Sequence, residues 1–93
     1  MKLTIIPVDG SVGKDGVFYN DLDLSSCNIP ADIHALQWGE NESNKGHIEY
    51  KSALAQNQDI TELPAWANVC INKWQETYDA EQAAILAAQQ TGQ

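Results

Sequence analysis

The sequence contains no arginine, and its five lysines are outnumbered by thirteen acidic residues, which gives a net charge of −8 at pH 7. Proteins that bind nucleic acid neutralise phosphates with clusters of lysine and arginine, and this sequence has no such cluster. Surfaces of anionic lipid attract the same residue types. The composition therefore argues against nucleic acid and against a membrane surface as partners. Because the acidic residues are scattered singly, solubility is the simplest explanation of the negative charge.

Cysteine is also scarce. Cys27 and Cys70 lie 43 positions apart, and neither belongs to a CxxC pair or to a cysteine–histidine cluster with zinc spacing. The first ten residues are interrupted by Pro7 and Asp9 before any long apolar run, unlike a secretory signal. No segment approaches the ~20 apolar residues that span a bilayer. We therefore expect two buried free thiols in a protein of the reducing cytoplasm.

The pattern of apolar residues predicts an α+β fold, and 93 residues suffice for one domain. Alternating apolar and polar residues, bounded by turn signals such as Asp15-Gly16, are typical of half-buried strands. We expect a small antiparallel sheet of about four strands, connected as a meander, with one long C-terminal helix packed on one face. Residues 1–60 form the sheet portion and residues 61–93 the helix and its Ala/Gln-rich tail. The four predicted strands cover residues 2–8, 17–20, 33–38 and 47–52.

A helical repeat of apolar residues occupies the last third of the chain, over residues 61–90. Asp59 or Thr61 suits the N-cap, and Pro64 fits the first turn. Beyond Tyr78 the sequence becomes rich in alanine and glutamine, which favour a helix but bury little surface. The apolar stripe, with its spacing of three, four or seven, consists of Leu63, Ala67, Cys70, Trp74, Tyr78 and Ile85.

Few residues suggest chemistry. His34 and His47 lie on neighbouring predicted strands, but metal or acid–base work would need a third ligand or an orienting partner that no spacing selects. Residues 21–32 have acids at the first, third and twelfth positions of a calcium loop, yet the sixth position is Ser26 instead of glycine. Cys70 lies on the apolar stripe and is expected in the core. We predict no catalytic residue, no metal and no cofactor, and hence no enzymatic activity.

Three tryptophans are many for a chain of this size. Such residues either fill the core of a small domain or anchor an interface. We expect Trp38 and Trp74 in the core, and both roles stay open for Trp66. The residues predicted to bind a partner are Trp66, Ile85, Leu86, Glu40 and Glu42.

Three segments resemble a group of small proteins encoded in tailed-bacteriophage genomes, often close to tail-fibre genes. The segments are KLTIIPVDGSVGKDGVFYNDLDLSSCNIPADIHALQW (2–38), GHIEY (46–50) and ITELPAWANVCINKW (60–74), and they occur in the same order. They include IPADIHALQW (29–38), the most characteristic stretch. The resemblance implies a viral protein of tail-fibre assembly or of the virion, found in the host cytoplasm during infection or in the particle. It transfers no catalytic residue.

Two functions are compatible with these features. The first is a non-enzymatic phage accessory protein that binds other proteins, with a tail or fibre protein as partner. The second is a small acidic inhibitor of a bacterial defence system, in which acidic residues such as Glu40 and Glu42 occupy a basic cleft of a host protein. A homo-oligomer, formed through the edge of the strand at residues 2–8 or through the Ala-rich helix, is as compatible with the sequence as a monomer.

Overall fold

A computed structural model describes residues 1–39, 45–52 and 56–91. The fold is α+β, with an antiparallel sheet and one long C-terminal helix, as the sequence predicts. Two short 3₁₀ turns, at Pro7–Asp9 and Ser25–Cys27, lie in the connections. The strands and helix of the described ranges are β1 (Leu3–Ile6), β2 (Ser11–Lys14), β3 (Val17–Tyr19), β4 (Ile33–Trp38), β5 (Gly46–Tyr50), β6 (Gln58–Ile60) and α1 (Ala65–Thr91).

The sheet has six strands in the order β3-β2-β1-β4-β5-β6, so the expectation of about four strands in one meander was wrong. Two three-stranded meanders are joined side by side, because β1 pairs with both β2 and β4. This pairing places β1 in the middle of the sheet. An edge formed by residues 2–8 was therefore also a wrong expectation, and the edge strands are β3 and β6.

The two strands missed by the sequence analysis are short and weakly patterned. β2 has the sequence SVGK, and it lies between two turn signals with Val12 as its one large apolar residue. β6 has the sequence QDI, with Ile60 alone as an apolar residue. Serine, glycine, aspartate and glutamine have little strand propensity of their own. Pairing with the neighbouring strands supplies the stability that local sequence does not.

The hairpin between β2 and β3 follows the sequence signal closely. Asp15 and Gly16 both have positive φ, 50° and 90° respectively, as a type I′ turn requires. The turn closes on the pair Lys14↔Val17. It sets the register that brings Tyr19 opposite Val12, and so places Tyr19 on the same face as the core.

The core lies between one face of the sheet and α1. Ile5 is opposite both Val12 and Leu36, and Leu36 is opposite Ile48, so these four side chains share a face. A bulge in β4 between Ile33 and Ala35 leaves His34 exposed and lets Ile33 remain buried, so the predicted strict alternation fails there. The helix contributes to this core the buried residues Ala67, Cys70 and Trp74.

The helix begins at Ala65, four residues later than predicted. Pro64 is the reason: its ring disfavours helical geometry at Leu63, the residue before it. The Pro64 carbonyl accepts a hydrogen bond from the Ala67 amide at 3.0 Å and so opens the first turn. The apolar stripe of the helix nevertheless meets the core as expected, from Ala67 through Trp74.

A substitution at Gly46 tests the close contact between β4 and β5. A Cβ atom at this position would collide with the Gln37 carbonyl oxygen and come within 2.9 Å of the Trp38 Cα. Since backbone atoms cannot rotate away, Gly46→Ala should lower the free energy of unfolding by about 1–3 kcal/mol, the usual cost of overpacking. Urea denaturation followed by circular dichroism measures this. Lys45→Ala, at the exposed neighbouring position, is the control and should change stability by less than about 0.5 kcal/mol.

Candidate protein-binding site

The second half of α1 extends beyond the sheet. Every residue from 79 to 89 is exposed, whereas the first half of the helix contributes three buried side chains. A helix of 27 residues is about 40 Å long at 1.5 Å per residue. The molecule measures 58 × 28 × 19 Å, as expected if a long helix projects from a small sheet.

Trp74 anchors the helix where it crosses the β2–β3 hairpin. Its indole Nε1 donates a hydrogen bond to the Val17 carbonyl oxygen at 2.9 Å. Its ring stacks on Tyr78 at a centroid distance of 5.0 Å and meets Tyr19 at 6.0 Å in a tilted arrangement. The Lys14 ammonium lies over the same ring, 4.7 Å from its centroid. These contacts hold the indole on every side, and they fix the direction in which the rest of the helix leaves the sheet.

Glu81 marks the last turn that the sheet reaches. Burial, followed by the charge of the nearby Glu81 carboxylate, raises the pKa of Tyr19 above its ordinary value. The Tyr19 hydroxyl has no partner at ordinary hydrogen-bond geometry among the described residues. The helix past this turn belongs to the exposed segment.

Ile85 lies on the same side of the helix as the core-facing residues, but in the part of the helix that is exposed to solvent. It lies 18 residues after Ala67, which is about five full turns, so the two residues point in nearly the same direction. Ala67 is fully buried beneath the sheet, but Ile85 is 45% exposed. Leu86, about 100° further round, is 56% exposed. Residues 82–91 carry no charge in a protein of net charge −8, so Ile85 and Leu86 lie on an uncharged stretch of the helix.

The five residues predicted to bind a partner have different environments. Ile85 and Leu86 lie together on the projecting segment. Trp66 is half-buried and packs against the edge of the core near the start of the helix. Glu40 and Glu42 lie outside the described residues. The structure therefore places Ile85 and Leu86 on the projecting segment and Trp66 at the other end of the same helix, and their role in binding stays a prediction.

The histidines do not form a metal site. His47 is opposite Gln37, whereas His34 lies at the bulge three residues away along β4. His47 Nε2 lies 3.3 Å from the Glu49 carboxylate, and His34 is exposed. Within residues 1–39, 45–52 and 56–91 there is no group of three or more histidine, cysteine or acidic side chains suited to a metal ion. No described helix is both long and apolar enough to cross a membrane.

A shallow groove of about 740 Å³ lies between the first 3₁₀ turn and the loop that follows β3. Val8 and Leu22 line it together with the carboxylates of Asp9 and Asp21. Ser25 also lines the groove, and its hydroxyl donates a hydrogen bond to the Asp23 carboxylate at 2.6 Å. Val8 is an apolar surface residue, 69% exposed, and it lies far from Ile85 in the sequence.

Comparisons with family profiles, with curated proteins and with solved structures each return no match. The resemblance to phage proteins therefore stays a prediction from the sequence. The geometry of the helix provides the basis for a functional proposal.

Proposed function

We propose that this protein is a non-enzymatic accessory protein of a tailed bacteriophage, which binds another protein through the projecting segment of α1. The observation that carries the proposal is the exposed apolar pair Ile85 and Leu86 on a helical segment whose residues from 79 to 89 are all exposed. A helix that presents apolar side chains to a groove is a common form of protein recognition. The phage setting rests on the sequence resemblance alone.

The anchored first half of the helix supports this role. An isolated helix as short as the projecting segment is marginal in water. Here the segment continues a helix whose earlier turns are held by Ala67, Cys70 and Trp74 in the core. Its alanine-rich sequence adds favourable helix propensity. The binding element is thus already formed before a partner arrives, which lowers the entropic cost of association.

The test is affinity capture of tagged protein from infected cells, with mass spectrometry of the bound proteins and of purified virions. We expect a phage tail or fibre protein to be the main captured protein. Presence of this protein in virions would assign it to the particle, and its absence from them would assign it to assembly. A host defence protein as the main partner would contradict the accessory role and would support the acidic inhibitor instead.

A bait protein that carries Ile85→Asp and Leu86→Asp is the control for the site itself. If the projecting segment binds the partner, the partner should be absent from the eluate of this variant. If the same partner is captured equally well, the binding surface lies elsewhere on the molecule, whichever class of partner is found.

A further inference from the structure

The two cysteines, 43 positions apart in sequence, meet in the core. Cys27 ends the 3₁₀ turn Ser25–Cys27, which packs against α1, and Cys70 lies on the buried face of that helix. Cys27 is 1% exposed and Cys70 is fully buried. The turn that carries Cys27 contacts the helix that carries Cys70, and both side chains belong to the same buried cluster, so the two thiol groups lie close together across two different elements of the fold. Both are free thiols.

The surroundings of the pair keep it reduced in the closed molecule. Burial, with a smaller contribution from the hydrogen bond and charge of Cys27, raises the pKa of the Cys70 thiol. Since the thiolate is the form that attacks a disulfide, reaction at neutral pH is slow while both groups are buried. Oxidation therefore requires a local opening that brings one thiol to solvent.

The 3₁₀ turn is the element that can open at least cost. It has three residues, and two of them, Ser25 and Ser26, are exposed. The Cys27 amide is held by one hydrogen bond, to the Leu24 carbonyl at 3.0 Å. Cys70, by contrast, sits within a continuous helix and cannot leave the core without unwinding it. Cys27 is accordingly the thiol that reaches an oxidant first, and Cys70 is the thiol that completes the reaction.

We propose that Cys27 and Cys70 are a site of reversible intramolecular disulfide formation. A small-molecule disulfide such as oxidised glutathione is the oxidant. The Cys27 thiolate attacks it, forms a mixed disulfide and releases one reduced thiol. Cys70 then loses its proton and displaces the second, so that two protein thiols are oxidised and one disulfide is reduced to two thiols. The new bond ties the loop after β3 to the helix one turn before Trp74.

The test treats the purified protein with oxidised glutathione at pH 8, in urea below the unfolding transition so that local opening is populated. Free thiols are then alkylated under denaturing conditions and the intact mass is measured. We expect a monomer with no alkylatable thiol and no bound glutathione, and a higher urea midpoint that returns to its original value after reduction. Cys70→Ala should stop at a glutathione adduct on Cys27.

Two outcomes would overturn the proposal. One is wild-type protein that retains two alkylatable thiols under conditions in which Cys70→Ala is modified by glutathione. Glutathione would then reach Cys27, but the two cysteines would not be placed so that they can form a disulfide. The other is a product that carries glutathione on both cysteines or that is linked between two chains. The main measurement uses the unaltered protein, so it does not depend on the folding of Cys70→Ala.

Discussion

Replacing Trp74 with alanine should lower the free energy of unfolding by about 3–5 kcal/mol, the typical cost of deleting a large buried aromatic side chain. Trp74 is 5% exposed and belongs to the core, and its ring contacts Tyr19, Tyr78 and Lys14 together. A domain of this size has a total stability of only about 5–15 kcal/mol. The variant should thus lose a large fraction of the total stability. Urea denaturation followed by far-ultraviolet circular dichroism measures the change.

Two further variants show which contacts of Trp74 matter. Trp74→Phe keeps an aromatic ring but loses the hydrogen bond to the Val17 carbonyl, so it should cost less than the alanine variant. Trp66→Ala removes a half-buried ring at the edge of the core and should also cost less. A loss below about 1 kcal/mol for Trp74→Ala would contradict the packing of α1 on the β2–β3 hairpin.

The spacing of apolar residues was sufficient to predict the elements in which buried residues recur at a regular interval. Ala67, Cys70 and Trp74 recur at helical spacing because one face of α1 packs on the sheet, and all three are buried. The strand at Ile33–Trp38 was also predicted with its correct bounds. In both cases the pattern of apolar residues and the burial pattern have the same physical origin. The division into a sheet portion and a C-terminal helix follows from these elements.

The spacing of apolar residues did not predict features that depend on hydrogen bonding to neighbouring strands. Ser11 and Gly13 do not favour a strand, yet β2 is paired on both sides by β1 and β3. The pairing of β1 with β4 joins residues more than thirty positions apart, as in Thr4↔Gln37, and no local signal encodes it. The bulge at His34 is equally invisible in an alternating stretch. These features depend on long-range hydrogen bonding, which a single sequence does not display.

The candidate site was predicted only in part, for a similar reason. Ile85 follows the same helical repeat as Trp74, so spacing alone assigns both to one buried stripe. The structure separates them: the sheet covers Trp74 and ends before Ile85. How far a sheet extends under a helix depends on the number, order and length of the strands. The number and order of strands predicted from the sequence were wrong, so the end of the covered part of the helix did not follow from the sequence.

The double variant Ile85→Asp, Leu86→Asp should weaken partner binding by about thirtyfold or more, while the protein keeps its stability. An interface residue that anchors an apolar contact typically contributes about 2 kcal/mol or more, and each 1.4 kcal/mol is a factor of ten in affinity. A carboxylate at such a position adds a desolvation cost to the lost contact. Both side chains are about half exposed, so neither change disturbs the core. Quantitative capture of the identified partner measures the binding, and thermal unfolding measures the stability.

The control for this experiment is Val8→Asp, which introduces one negative charge, against two in the double variant, at an exposed apolar residue. Val8 lies in the first 3₁₀ turn, which is not part of α1. If general repulsion between an acidic protein and its partner governed binding, both variants would weaken it in proportion to the charge added. If the helix is the binding surface, Val8→Asp should bind like the wild type. A loss of binding free energy for Val8→Asp that is about half the loss for the double variant would remove the support for a specific site on α1, and normal binding by the double variant would exclude Ile85 and Leu86 from the interface.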